Sequence, residues 1–356
     1  MDENGDPAEP LLLQRHDSQV GLAGQSSDAI EELLAQNKTV PYRWWLSLVG
    51  WESRILWFLS GASIIVSIFN FMLSLITQMF TGHLGTLELA GVSIANVGIQ
   101  GLAYGIMETW NGFSMNAFKG LWSYFKLTAA SAIMLCLEIW YSQGLVLISG
   151  LLPNPTVSLD SISVCMNYLN LDMQFMLGLS AAASIRVGNE LGAAHPRVAR
   201  FSVIVVTATS ILISLIFSTF VMICRTALSK AFTTTEAVIA AVSELTPLLA
   251  ISVFLNGIQP ILSGVAIGSG WQALVAYVNL GTYYIIGLPV GCVLGFKTNL
   301  GATGIWWGMI LGVSLQTLTL IILTVRTNWD EEVRKAADRL RKSADDENLD
   351  LVNGIA

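Results

Sequence analysis

LTAASAIMLCLEIWYSQGLVLISGLL (residues 127–152) and ISVCMNYLNLDMQFMLGLSAAASIRVGNELGAAHP (residues 162–196) decide how this chain folds. Each is long enough to cross a hydrocarbon core as a helix, for which about 20 apolar residues suffice. Each also holds one acid in its middle, Glu138 in the first and Asp172 in the second. A carboxyl near a bilayer midplane is costly and rare. It marks a proton relay, an ion site or a substrate site, unless it is a structural acid held by hydrogen bonds between helices. Both roles stay open for Glu138 and for Asp172.

Composition agrees with the reading of these two segments. Of 356 residues, 53% are hydrophobic and 12% charged, about half the charged share of a soluble domain, which is roughly 25%. With several long apolar runs, this is an all-α integral membrane protein whose immediate partner is the lipid bilayer. The net charge of -7 comes largely from the two tails and gives no reason to expect nucleic acid. Cys136, Cys165, Cys224 and Cys292 lie in apolar runs without C-x-x-C spacing, and the histidines are scattered. Neither a disulfide framework nor a metal site is legible. No nucleophile–base pair or nucleotide loop appears, so the chain does not read as an enzyme, nor does it carry a filter motif of a channel. The first forty residues lack the apolar core of a signal peptide.

In chain order, residues 1–40 read as a disordered cytoplasmic tail, with one or two helical turns around Ser27–Leu34. Trp44, Trp45, Trp51 and Trp57, with Arg43 and Arg54, form an interfacial belt before a first span at about 55–80. A second span at about 87–107 is rich in glycine and completes a two-helix unit over 41–107. Residues 108–126 are a polar connector. A six-span unit follows over 127–326: the two opening segments, then about 201–224, 237–267, 271–296 and 300–325. Thr233 and Glu236 form a capping box ahead of the sixth span overall. Pro247 and Pro260 interrupt that span, with Asn256 and Gly257 between them. Such breaks are tolerated where neighbours or a cavity satisfy the freed carbonyls, and they often mark transporter sites.

Residues 327–356 read as an amphipathic helix and tail, with Trp329, Val333, Ala336, Ala337 and Leu340 on one face and Glu331 paired with Lys335. Placing both termini in the cytoplasm leaves only Arg225, Lys230 and Lys297, of 18 Lys and Arg, on the other side. A weak internal echo, LAGVSI (89–94) against LDSISV (159–164), hints at a repeat.

Three motifs carry a resemblance: RVGNELGAAHP (186–196), MLCLEIWY (134–141) and LSGVAIGSGWQ (262–272). WWLSLVGWES (44–53) and NWDEEVRKAADR (328–339) extend it over almost the whole chain. The chain resembles the plant multidrug and toxic compound extrusion (MATE, or DETOXIFICATION) transporters, within them the TRANSPARENT TESTA 12-like branch of vacuolar flavonoid carriers. The resemblance implies twelve helices in two six-helix lobes. ETWNGFS (108–114) resembles the connector before the seventh family helix, yet it follows directly on the second span. On the order of 150 residues of the N-terminal lobe are then missing, at about 35 per helix and loop. About eight spans remain, resembling family helices 1, 2 and 7–12.

The resemblance implies a secondary carrier, with no cofactor, that exchanges organic solutes such as flavonoid glycosides for protons or sodium across the vacuolar membrane. Glu138 matches the acid of the seventh family helix and becomes the proton-coupling candidate, with Asp172 second. Burial in apolar surroundings favours the neutral form of a carboxyl, which suits proton exchange. Many plant relatives carry Asp where Asn256 stands, so Asn256 is expected as a polar substrate or hydrogen-bonding contact. Tyr141, Tyr168 and Gln259 are candidates for the substrate cavity, by stacking and hydrogen bonding; plain packing is the alternative for each. Arg186, Asn189 and Glu190 are expected as a cytoplasmic latch. The competing expectation is a truncated, non-transporting isoform, inert or interfering with the full-length carrier, or else self-associating.

Overall fold

The computed structural model describes residues 22–36, 42–84, 121–152, 155–225, 227, 230, 236–339 and 341. The second expected span, most of the 108–126 connector, the Thr233 cap and the 89–94 half of the echo lie outside them. Ten α-helices carry the fold: α1 (Leu22–Gln36), α2 (Tyr42–Leu84), α3 (Leu121–Ser149), α4 (Pro155–Gly192), α5 (Pro196–Ile223), α6 (Glu236–Asn256), α7 (Gln259–Ser269), α8 (Gln272–Asn279), α9 (Leu288–Lys297) and α10 (Ala302–Arg326). A π-helical segment, Leu280–Gly287, joins α8 to α9. A further helix, α11, covers 329–339.

An all-helical membrane domain is what lipid demands, because a helix satisfies its backbone polar groups within itself. Six stretches are long and apolar enough to cross a bilayer: Trp45–Leu73, Ala132–Ser149, Pro196–Ile223, Glu236–Ser269, Gln272–Lys297 and Ala302–Arg326. They are the first, third and fifth to eighth of the expected spans. The expected fourth is α4, of spanning length but more polar, with Asn167, Asn170, Asp172 and Gln174 in its middle. It can be polar because it is central: α2, α5, α6 and α7 all pack on it, with α3 at its edge.

Close packing on α4 depends on small residues. Gly264 and Gly268 of α7, four apart, face Ser180 and Ser184 of α4. A Cβ on either glycine would lie 2.3 or 2.4 Å from a serine carbonyl oxygen. Gly291 of α9 against Gly308 of α10 repeats the device, with 2.2 Å from a Cβ on Gly308 to the Gly291 Cα. With no hydrophobic drive between helices in lipid, such close approach supplies the dispersion contact that holds them.

The expected sixth span differs in one respect. Pro247 does not break it: α6 runs unbroken from Glu236 to Asn256 with Pro247 inside. Only the carbonyl of Ser243 loses its helical donor there, which a membrane helix accommodates. The break falls at Gly257–Ile258, and Pro260 opens α7 within its first turn. A Cβ on Gly257 would lie 1.4 Å from Ser214 Oγ of α5, so the break sits hard against that helix.

The N-terminal tail is also more ordered than its composition indicates. Instead of one or two turns, α1 is a 15-residue helix. Ile30 is buried, and Leu33 and Leu34 pack on the cluster formed by Leu191, Val198 and Ala199. A helix this short is marginal alone and gains its stability from such docking. Trp329, Val333 and Ala336 of α11 join the same cluster, so the two terminal helices sit at one end of the bundle. The expected Glu331–Lys335 pair forms at 3.1 Å. Glu332 accepts from Trp271 Nε1 at 3.0 Å, and Arg339 donates to the Ser269 carbonyl at 3.0 Å.

Candidate functional site

Glu138 projects from the middle of α3 into a collar of side-chain amides. Its Oε1 accepts from Gln259 Nε2 of α7 at 3.0 Å, from Asn279 Nδ2 of α8 at 3.0 Å and from Gln316 Nε2 of α10 at 3.2 Å. A second layer fixes which way each amide points. Tyr283 donates its hydroxyl to Gln316 Oε1, and Gln316 Nε2 also donates to Asn279 Oδ1 at 2.6 Å. With its oxygen so engaged, Asn279 turns its nitrogen to Glu138 and to the Met134 carbonyl at 3.3 Å. Asn279 and Gln316 are both fully buried. The π-helical turn helps build the collar: it begins just after Asn279 and carries Tyr283. Extra residues of this kind in a helix are frequent at functional sites.

Asp172 holds a second, simpler position. Its Oδ2 accepts from Asn256 Nδ2 at 2.8 Å, across from α4 to the last residue of α6. Its Oδ1 is buried and has no hydrogen-bond partner among the described residues. A buried oxygen of this sort is expensive to leave unpaired and asks for a proton, a water or a ligand. The salt bridges among the described residues involve neither Glu138 nor Asp172. Each carboxylate therefore depends on amide donors alone while charged. The same residues contain no cluster of three His, Cys, Asp or Glu able to hold a metal.

A third cluster lies at the end of the bundle that carries α1 and α11. Arg186 of α4 forks onto Glu52 of α2, Nε to Oε1 at 2.9 Å and Nη2 to Oε2 at 3.0 Å, and its Nη1 bonds Glu190. Glu52 is fully buried, and Trp51 places its ring 5.2 Å from the guanidinium. The fork satisfies both carboxylate oxygens, which a buried ion pair needs to repay its desolvation. It also ties α2 to α4.

Not every candidate is part of these clusters. Asn189 is exposed one turn from Arg186, and its carbonyl accepts from Ala193 N–H at 2.9 Å, so it is a helix-end residue outside the Arg186–Glu52–Glu190 cluster. Tyr141 is buried, stacked on Tyr283 at 4.6 Å and donating to the Gly308 carbonyl at 3.1 Å. Its place is in packing behind the collar, and the cavity role does not fit. Tyr168 is half-buried against the cluster around Tyr141 and Val253. Asn256 and Gln259 serve the two acids. The reading of the sequence missed Glu52, Asn279, Tyr283, His195 and Gln316. Asn279 and Gln316 were findable as lone amides inside apolar runs; the others carry no such signal.

The family description MatE matches residues 130–293, which holds Glu138, Asp172, Asn256 and Gln259. Protein DETOXIFICATION 41 of Arabidopsis thaliana is 47% identical over 500 aligned positions, taking in 97% of this chain and 98% of that protein. Protein DETOXIFICATION 37 of the same plant is 56% identical over 233 residues, 65% of this chain and 46% of that protein. The chain thus spans about half the length of several relatives it matches, 46% also for Protein DETOXIFICATION 36. Among solved structures, the eukaryotic MATE transporter AtDTX14 is 34% identical with a TM-score of 0.64, over 72% of this chain and 59% of that one. An outward-facing multidrug resistance MATE transporter, at 13% identity and a TM-score of 0.54 over 79% of this chain and 62% of that one, shares the fold.

Proposed function

The chain belongs to the plant MATE, or DETOXIFICATION, family, and on that premise we propose that it is a secondary carrier of organic solutes in which Glu138 takes up and releases the coupling proton. The amide collar carries this reading. Three N–H groups meet one carboxylate oxygen, and no side-chain cation among the described residues bonds to it. Charged Glu138 suits the collar. The three amides share Oε1, so a proton settles on Oε2 and leaves Oε1 a neutral carbonyl oxygen, a weaker acceptor for three donors; proton uptake therefore loosens the hold of α7, α8 and α10 on α3. A proton that binds one arrangement better shifts the population toward it, which is what coupling requires.

The direction of the amides favours a proton over sodium. Hard cations take several oxygen ligands, and the collar turns nitrogens to the site: the Gln316 and Asn279 oxygens are engaged by Tyr283 and Gln316. Asp172, with its open Oδ1, is a second exchangeable carboxyl or a solute contact. The Arg186–Glu52 fork serves as the latch between α2 and the six-span unit in alternating access.

Flavonoid glycosides are the solute class we assign, and the vacuolar membrane the site, with both termini cytoplasmic; the motifs shared with the flavonoid-carrier branch and the Lys and Arg distribution support this. The 500 positions aligned with DETOXIFICATION 41, against 356 residues here, support a shortened N-terminal lobe. A second copy, or a longer form of the carrier, would then complete the cavity. The end-to-end match to that relative favours a working carrier over a non-transporting isoform. The test is uptake of a flavonoid glucoside into yeast-derived vesicles under an imposed pH gradient. Gradient-driven uptake that disappears in Glu138→Gln supports the proposal. Absence of uptake by the chain makes it a non-transporting form.

A further inference from the structure

His195 stands in the turn between α4 and α5 with each ring nitrogen against a carboxylate from a different helix. Nδ1 is 2.7 Å from Glu190 Oε2 of α4, and Nε2 is 2.6 Å from Asp28 Oδ1 of α1. A neutral imidazole has one N–H to give and an imidazolium has two. Only the protonated ring donates to both carboxylates at once.

The rest of α1 binds the same corner. Glu31 Oε2 accepts the backbone N–H groups of Arg197 at 3.0 Å and Val198 at 2.9 Å, the amides that a helix leaves open in its first turn. Ser27 Oγ donates to Glu190 Oε1 at 2.9 Å. Glu190 is therefore shared between α1, through Ser27, and the latch, through Arg186. The groups facing His195 are Glu190 from α4 and Asp28 from α1. Arg186 and Glu52 of α2 stand behind Glu190, and Glu31 with Arg197 stands beside, at 3.4 Å from each other.

We infer that α1 is a proton-gated clasp: with His195 protonated it is fastened across the α4–α5 corner and steadies Glu190 in the Arg186–Glu52 latch, and with His195 neutral it loses one of those bonds and lifts away. Burial works against charge on the ring, but the hydrogen bonds to Glu190 and Asp28 outweigh it and hold the pKa above the ordinary histidine value. A raised value means the clasp is complete below the unfolded histidine pKa and is lost as pH rises through the folded one. Histidine makes this change near neutral pH. The consequence for transport rests on the latch reading above; the clasp itself does not.

Hydrogen–deuterium exchange on the full chain in lipid nanodiscs tests it, read on the 27–36 segment after correction for the intrinsic rate. Protection is expected to fall about tenfold between roughly pH 6 and roughly pH 8.5, the effect of losing one hydrogen bond between charged groups. In His195→Gln the fall disappears. In Asp28→Asn its midpoint moves to lower pH, while protection of 200–223, beyond the amides that Glu31 accepts, stays unchanged in both variants. Equal wild-type protection at the two extremes, or the same fall in His195→Gln, would overturn the inference. Should His195→Gln disturb α5, selective ¹³C labelling of the three histidines, His16, His83 and His195, decides instead. Titration of His195 above the unfolded value supports the clasp, and titration at or below it overturns the clasp.

Discussion

Asn256 and Gln259 stand three residues apart on either side of one helix break, and their amides go to two different buried carboxyls. Asn256 donates to Asp172 at 2.8 Å, and Gln259 donates to Glu138 at 3.0 Å. The break at Gly257–Ile258 is thus the part both acids share. A change at either acid that moves α6 against α7 reaches the other through a few backbone torsions.

Replacing Asn256 with Asp sets a second carboxyl beside Asp172. Two carboxyls this close repel when both are charged, so the thermal midpoint of Asn256→Asp in detergent should fall as pH rises from about 5.5 to about 8. Asn256→Leu, which removes the donor to charged Asp172 without adding a second carboxyl, should cost about 1–3 kcal/mol and show a shallower fall in the same direction. A flat profile for Asn256→Asp would show that Asp172 is not held against this position.

The collar makes its own prediction. Gln316→Leu removes a donor to Glu138 and the acceptor of Tyr283 together, whereas Gln316→Glu keeps the shape and adds a like charge. Both should change the pH dependence of uptake, and Tyr141→Phe should change only stability, by about 1 kcal/mol for its lost hydrogen bond. Uptake profiles from vesicles, set beside thermal unfolding of the same samples, separate the two outcomes.

At the Arg186–Glu52 fork, Arg186→Leu leaves Glu52 buried without its partner, and a loss of roughly 3–5 kcal/mol is expected. Arg186→Lys keeps the charge and loses the fork, so it should remain clearly destabilised. Asn189→Ala, exposed and outside the fork, should fall within about 0.5 kcal/mol of wild type. Thermal unfolding in one detergent ranks the three.

Packing of α7 on α4 is tested by Gly268→Leu, whose side chain would meet the Ser184 backbone. A cost of about 2 kcal/mol or more is expected for such overpacking. Gly144→Ala, with nothing within 4 Å of the added methyl, should instead gain up to about 1 kcal/mol from helix propensity.

Apolar length made α3, α5, α6 and α10 readable in the sequence, and the lone acids pointed to Glu138 and Asp172. Proline content misled at Pro247, because a proline ends a helix only where its freed carbonyl finds no other partner, and that depends on neighbours. The α1 helix was hidden by polar composition: Ile30, Leu33 and Leu34 matter only once the α4–α5 corner exists to receive them. The collar was half visible. Asn279 and Gln316 are conspicuous amides in apolar runs, yet their meeting on one oxygen depends on the crossing of α3, α8 and α10 and on a π-helical turn. Tyr141 was read as a cavity residue because ring and hydroxyl suit a ligand; stacking on Tyr283 and the bond to Gly308 use both.

The most direct test of the central claim is proton movement itself. The chain is reconstituted in liposomes holding a pH-sensitive dye, without sodium, and a flavonoid glucoside is added. The account predicts a solute-dependent proton flux that Glu138→Gln abolishes and Glu138→Asp weakens. A flux that persists in Glu138→Gln, or that appears only when sodium is supplied, would contradict it.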